Sequence, residues 1–207
     1  MIITIDGLDG AGKTTLSKKL AKELNYEYID KPLYKLFGYN GNNKELYDLL
    51  CQLQKTVYDE NNSNSFKTYF TGTSLFYIKT CLENKNLIID RGLLSAYAFN
   101  GDEKSNPIFD LLIKYGLFFD LSILLTISNE KRIERIKKRN INDSDLLNQK
   151  TLELDYDSLK EFIKVHPNLP IITIDTNNKN EDEVFNESLK CIDDFKNHKI
   201  LKKTINY

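Results

Sequence analysis

Nine residues near the amino terminus, Gly7-Leu8-Asp9-Gly10-Ala11-Gly12-Lys13-Thr14-Thr15, restrict this chain more than any other stretch. The first eight follow the pattern G-x-x-x-x-G-K-[ST], and the flanks supply the context that the pattern needs. Before it, Ile2 to Asp6 is a short β-branched run of the kind that forms a buried strand. After it, Lys13 to Leu24 carries Leu16, Leu20, Ala21 and Leu24 at helical spacing. A glycine turn between strand and helix lets backbone N–H groups converge on phosphate oxygens, and the helix adds the positive end of its dipole. Gly7, Gly10, Ala11, Gly12, Lys13, Thr14 and Thr15 are therefore the expected phosphate-binding residues for a nucleoside triphosphate such as ATP. Lys13 is expected to reach the β- and γ-phosphates, and Thr14 to offer its hydroxyl to Mg2+.

The remainder alternates in the same manner. Short apolar runs at Tyr26–Ile29, Leu87–Ile89, Leu121–Ile127 and Pro170–Ile174 read as further strands. Helices are expected at Lys44–Tyr58, at Phe66–Leu82 (broken or weakened by Gly72), and at Pro107–Tyr115. Others are expected at Glu130–Arg139, after the polar break Asn140–Asn148 as far as Val165, and at Glu181–Phe195. Five short apolar strands between helices predict an α/β fold with one parallel sheet covered on both faces. No repeat or long linker divides the 207 residues, so residues 1–207 read as a single domain.

Lys plus Arg total 29 against 30 Asp plus Glu, a formal charge of -1. A nucleic-acid binder shows a basic excess or a concentrated basic face, so no nucleic-acid partner is expected. Cys51, Cys81 and Cys191 have no paired spacing and no histidine grouping, which argues against a disulfide framework or a cysteine-based metal site. No secretion signal and no apolar run of about 20 residues occurs, so the expected setting is cytoplasmic, away from membranes. Only four arginines are present, Arg91, Arg132, Arg135 and Arg139, among abundant lysine, asparagine and isoleucine. A lysine can therefore stand where another protein carries arginine.

Asp90-Arg91 leaves the carboxyl end of the third strand, where active sites of open parallel sheets lie. An aspartate there holds magnesium through water, and an arginine stabilises charge on a phosphoryl group in flight. An ordinary surface ion pair is the plain alternative. Asp9 stands inside the loop beside bound phosphate, which is costly for an anion unless it does separate work. Turn formation explains it equally well on residue chemistry alone.

These stretches together resemble the thymidylate kinase family. Ile5-Asp6-Gly7-Leu8-Asp9-Gly10-Ala11-Gly12-Lys13-Thr14-Thr15-Leu16 is similar to the family's opening. Asp90-Arg91-Gly92-Leu93-Leu94-Ser95-Ala96-Tyr97-Ala98-Phe99-Asn100-Gly101 is similar to its second motif. Weaker likenesses lie at Ile133–Arg139, which resembles the helix leading into a mobile lid, and at Ile174-Asp175 with Glu181–Val184. The resemblance implies a three-layer nucleoside kinase fold with a five-stranded parallel sheet and a short lid at about 139–148. The implied reaction is phosphoryl transfer from ATP, with Mg2+, to a deoxynucleoside monophosphate, dTMP first among them. Lys13, Asp90, Arg91 and Arg139 would be catalytic, and Arg135 would lie near adenine. Asp9, Lys31, Phe66, Arg91, Ser95, Phe99 and Asn100 would bind the acceptor. The resemblance also implies a homodimer, for which Lys44–Tyr58 and Phe66–Leu82 offer apolar residues that core packing explains equally well.

Three departures bear on the acceptor. The family's Arg-Glu-Pro reads Asp30-Lys31-Pro32, no arginine lies between Thr14 and Arg91, and Gly92 replaces a bulky Tyr or His. Lys31 supplies a point charge and not a bidentate fork. Two other readings stay open. A deoxynucleoside kinase would not need the missing arginines, though such enzymes place a glutamate where Lys31 stands. A non-catalytic ATP-binding regulatory module would suit a degraded acceptor pocket, though Asp9, Asp90-Arg91, Ser95 and Phe99 are kept.

Overall fold

The structure, a computed structural model, describes residues 1–140, 146 and 152–204, with side chains through residue 197. Most of the expected lid at 139–148 lies outside the described residues. Five strands form one all-parallel sheet in the order β2-β3-β1-β4-β5. They are β1 (Ile2–Gly7), β2 (Glu27–Ile29), β3 (Leu87–Asp90), β4 (Leu121–Thr126) and β5 (Ile171–Asp175). Burial on both faces is what parallel strands require, and every residue of β1 and β3 is buried.

Among the described residues, the helices include α1 (Lys13–Leu24), α2 (Pro32–Leu36), α3 (Lys44–Val57), α4 (Asn64–Cys81), α5 (Leu93–Asn100), α6 (Asn106–Lys114), α7 (Asn129–Arg139), α8 (Asp157–Val165) and α9 (Glu181–Thr204). Successive strand residues point to opposite sides, so β1 splits between two cores. Ile3 and Ile5 pack with Leu16 and Leu20 of α1 and with Val184 and Ile192 of α9. Ile2 packs on the other side with Leu75 and Ile78 of α4, Leu94 and Tyr97 of α5, and Phe162 of α8. A satellite core around Leu33, Tyr34 and Leu50 ties α2 and α3 to α4.

α4 corrects one expectation: it runs through Gly72 unbroken. A Cβ on Gly72 would stand 2.6 Å from Leu112 Cδ1, so the glycine serves the close approach of α6 and does not end the helix. α5 was hidden in the sequence because its positions are nearly all buried and so show no helical period.

From β1 the chain crosses to one side of the sheet, and from β3 to the other. Neighbouring strands whose connections diverge leave a crevice at their carboxyl ends, which is where such folds bind ligands. Ile5 pairs with Asp90 at that edge, bringing the turn after β1 beside Asp90-Arg91.

Candidate active site

Asp6, the last expected strand residue before the loop, is completely buried. Its carboxylate accepts from the backbone N–H groups of Gly92 and Ser95, each at 2.8 Å, and from the Thr4 hydroxyl at 2.7 Å. One buried anion thereby fastens the start of α5 to β1, and it satisfies N–H groups that a helix start leaves open. Ser95 returns the contact, its hydroxyl accepting from Gly7 N–H at 3.3 Å.

In the loop, Gly10 has φ 84° and Gly12 φ 97°, left-handed values suited to glycine. A Cβ on Gly10 would come within 2.7 Å of the Arg132 carbonyl oxygen, so the loop rests directly on α7. Lys13 is buried and donates to Leu8 O at 2.8 Å, with Asp9 3.5 Å away. Burial, and next the nearby Arg91 cation, push the Lys13 ammonium down to about 8. Asp9 also pairs with Arg91. Burial raises the Asp9 carboxyl, but Arg91 and Lys13 outweigh that and hold it below the usual range.

Arg91 adopts φ 76°, a conformation that costs an L side chain about 1–2 kcal/mol. It turns the guanidinium back over the loop and 5.4 Å from the centroid of the Phe99 ring. Thr14 donates to Asp90 Oδ2 at 2.5 Å, and Tyr28 donates to the same oxygen at 3.4 Å. Asp90 Oδ1 is buried with no hydrogen-bond partner. A carboxylate oxygen left unpaired beside a threonine hydroxyl fits a hard divalent cation. Magnesium takes few protein ligands and keeps waters and phosphate oxygens. Among the described residues, no group of three or more His, Cys, Asp or Glu forms a dedicated metal cage.

Two clefts meet here, and Asp9, Thr14 and Arg91 line both. One, of about 700 Å³, is lined by Gly10 to Thr15 of the loop together with Arg135, Arg139, Thr176 and Glu181. Arg135 is fixed by bonds to the Thr176 hydroxyl at 3.1 Å and carbonyl at 2.7 Å. The other, of about 880 Å³, contains Lys31, Tyr58, Lys67, Thr71, Ser74, Asp90, Ser95, Phe99 and Asn100. Lys31 sits 4.4 Å from the centre of the Tyr34 ring.

Phe66 departs from the sequence expectation. It lines neither cleft, lies 46% exposed, and packs against Phe70. One turn of α4 explains this, because Lys67, Thr71 and Ser74 hold the face turned to the cleft.

Sequence reasoning also missed Asp6, Tyr156 and Arg132. Tyr156 donates to Leu125 O at 3.0 Å and accepts from Leu8 N–H at 3.3 Å, bracing the loop from behind. Arg132 is fully buried in a helix that reads as solvated, and donates to Leu152 O at 2.8 Å. One arginine among seven other charged residues of the same helix carries no sign of burial. Asp6 alone had a signal, as the only ionisable group in an otherwise uncharged strand.

The thymidylate kinase family profile matches residues 5–187. A probable thymidylate kinase from Methanocaldococcus jannaschii is 27% identical over 191 residues, covering 90% of this chain and 93% of its own. A putative adenylate kinase from Thermococcus kodakarensis is 30% identical over 193 residues, covering 93% and 85%. Among solved structures, thymidylate kinase from Candida albicans superposes with TM-score 0.64 at 18% identity, covering 95% of this chain and 92% of that one. Deoxyadenosine kinase from M. mycoides with bound dCTP gives 0.59 at 24%, covering 94% and 100%. The two structures speak for the fold, and the family match runs through the loop, the Asp90-Arg91 corner and both clefts. The chain belongs to the thymidylate kinase family and is a nucleoside-monophosphate kinase.

Proposed function

We propose that the chain transfers the γ-phosphoryl group of ATP to a deoxynucleoside monophosphate, with dTMP as the leading acceptor. The observation that carries this reading is the pair of clefts sharing Asp9, Thr14 and Arg91 as their common wall. ATP would occupy the cleft of the loop, Arg135 and Arg139, and the acceptor would occupy the cleft of Lys31, Ser95, Phe99 and Asn100. The relatives are named for thymidylate, adenylate and cytidylate, each a nucleoside monophosphate.

Phosphoryl transfer needs alignment and charge stabilisation more than covalent chemistry. Lys13 and Arg91 would flank the transferring group, Lys13 from the loop and Arg91 from the end of β3, with Arg139 approaching from α7. Asp9 would hold the acceptor sugar hydroxyl, and the Phe99 ring would stack on the base. Lys31 would meet the acceptor phosphate as a point charge. Thr14 and Asp90, the latter through water, would hold Mg2+, which when bound neutralises charge on the phosphate oxygens. A cytoplasmic setting and a homodimer belong to the same reading.

A nucleoside acceptor without phosphate is the second reading, favoured by Asp30 standing where the family carries its phosphate-clamping arginine. Against it, Lys31 puts a cation in the cleft where a nucleoside kinase needs a base. The test is initial-rate ADP formation with ATP and Mg2+ over a panel of deoxynucleoside monophosphates, with thymidine alongside. Turnover of monophosphates is expected. No acceptor-dependent ADP with any of them would refute the reading, and a preference for thymidine over dTMP would move it to the nucleoside kinases.

A further inference from the structure

The wall of the larger cleft opposite α5 is one face of α4, where Lys67, Thr71 and Ser74 recur at helical spacing. Each hydroxyl on it is already committed. Thr71 Oγ1 donates to Lys67 O at 2.9 Å, and Ser74 Oγ donates to Thr71 O at 2.7 Å. A carbonyl oxygen only accepts, so the single Thr71 proton is spent on the helix backbone. Tyr58, from the end of α3, stands with its oxygen 2.6 Å from Thr71 Oγ1 and must be the donor there. Toward the cleft, Thr71 and Tyr58 therefore present lone pairs. A base amino group can donate to that pair as it stands. A base keto group needs a donor, and Tyr58 can supply one by turning its O–H away from Thr71, at the loss of one hydrogen bond. A guanidinium could do only the second, because it has no acceptor. Asn100 on the facing helix does not decide between bases, since its amide can turn either its oxygen or its nitrogen inward.

We propose that the Tyr58–Thr71 pair faces the 4-position of the acceptor base and takes either an amino or a keto group there. The chain would then phosphorylate dCMP in addition to dTMP and dUMP. The inference rests on the acceptor-cleft reading above and extends it to a second chemical class of base.

The experiment compares kcat/KM for dTMP, dUMP and dCMP with ATP and Mg2+. The last two differ only in the 4-substituent and the adjoining ring proton. The wild-type value for dCMP is expected within about tenfold of that for dUMP, the discrimination of one adaptable hydrogen bond. Tyr58→Phe removes the movable proton and leaves the Thr71 lone pair, so the dCMP/dUMP ratio should rise about fivefold. Thr71→Arg installs a donor-only group, so the ratio should fall about tenfold or more. Should Thr71→Arg fail to fold, Tyr58→Phe decides alone. Wild-type rejection of dCMP by more than about a hundredfold while dTMP is turned over would overturn this inference and leave the kinase reading intact. An unchanged ratio in the folded variants would overturn it as well. If no monophosphate is turned over, both readings fall together.

Discussion

Thr14 Oγ1 lies 2.5 Å from Asp90 Oδ2, so one hydrogen bond joins the start of α1 to the end of β3. The other Asp90 oxygen is buried and unpaired. Both groups suit a cation that arrives with the triphosphate. Asp90→Asn should raise the Mg2+ concentration for half-maximal turnover about tenfold or more. It should also shrink the gain in ATP affinity that Mg2+ brings, measured by equilibrium binding with and without the metal. An unaltered Mg2+ dependence would remove Asp90 from the metal site.

Lys13 couples the same site to pH. Its ammonium is pushed down to about 8 from an ordinary 10.5, by burial first and by Arg91 second. Between those values the unfolded chain holds a proton that the folded chain has lost. This group alone therefore makes stability rise with pH across that window, and its cost is fully present below about 8. Phosphate binding reverses the preference, because an anion favours charged lysine. ATP binding near pH 8 should take up protons, and its affinity should weaken as pH rises further. Calorimetry in two buffers of different ionisation heat reads this directly, and zero net uptake would contradict it.

Asp9 is held between Arg91 and Lys13. Asp9→Ala leaves the loop backbone in place and removes the carboxylate that the acceptor would meet. Acceptor kcat/KM should fall about a hundredfold while the Kd for ATP moves less than about threefold. Unchanged acceptor kinetics would deprive the acceptor assignment of its main residue.

Asp6 makes a stability prediction. Asp6→Ala strands two buried N–H groups that a charged acceptor now satisfies, and should lower unfolding free energy by about 3 kcal/mol. Urea titration checks the figure. Turnover should fall too, since Asp6 sets where α5 begins and so where Arg91 and Ser95 stand.

The loop and the strand-helix alternation could be read from the sequence because they are local patterns. Lys13 to Leu24 forms the helix that its spacing describes. Partnerships between distant segments were not readable. Asp6 meets Gly92 and Ser95 some 86 to 89 positions away, and Tyr156 braces a loop 148 positions before it. Gly92 could be seen as a departure, but its reason is Thr4, whose methyl would stand 2.6 Å from a Cβ there. Phe66 was misplaced for a different reason. The resemblance implied an acceptor contact there, whereas the phase of α4 decides which side chains face the cleft, and it turns Lys67, Thr71 and Ser74 inward.

The contact between Gly10 and Arg132 also bears on how this site can change over generations. A side chain at position 10 would strike the Arg132 carbonyl, the Arg132 stem and Ile136. An arginine at position 10 and α7 in its present seat are mutually exclusive. Mutations at the two places are therefore expected to be epistatic: a side chain at position 10 fits only in a background where α7 has already moved. Any descendant of this chain that gains a cation at position 10 must first loosen the helix bearing Arg135 and Arg139, which ties the two sources of positive charge to a fixed order of substitution.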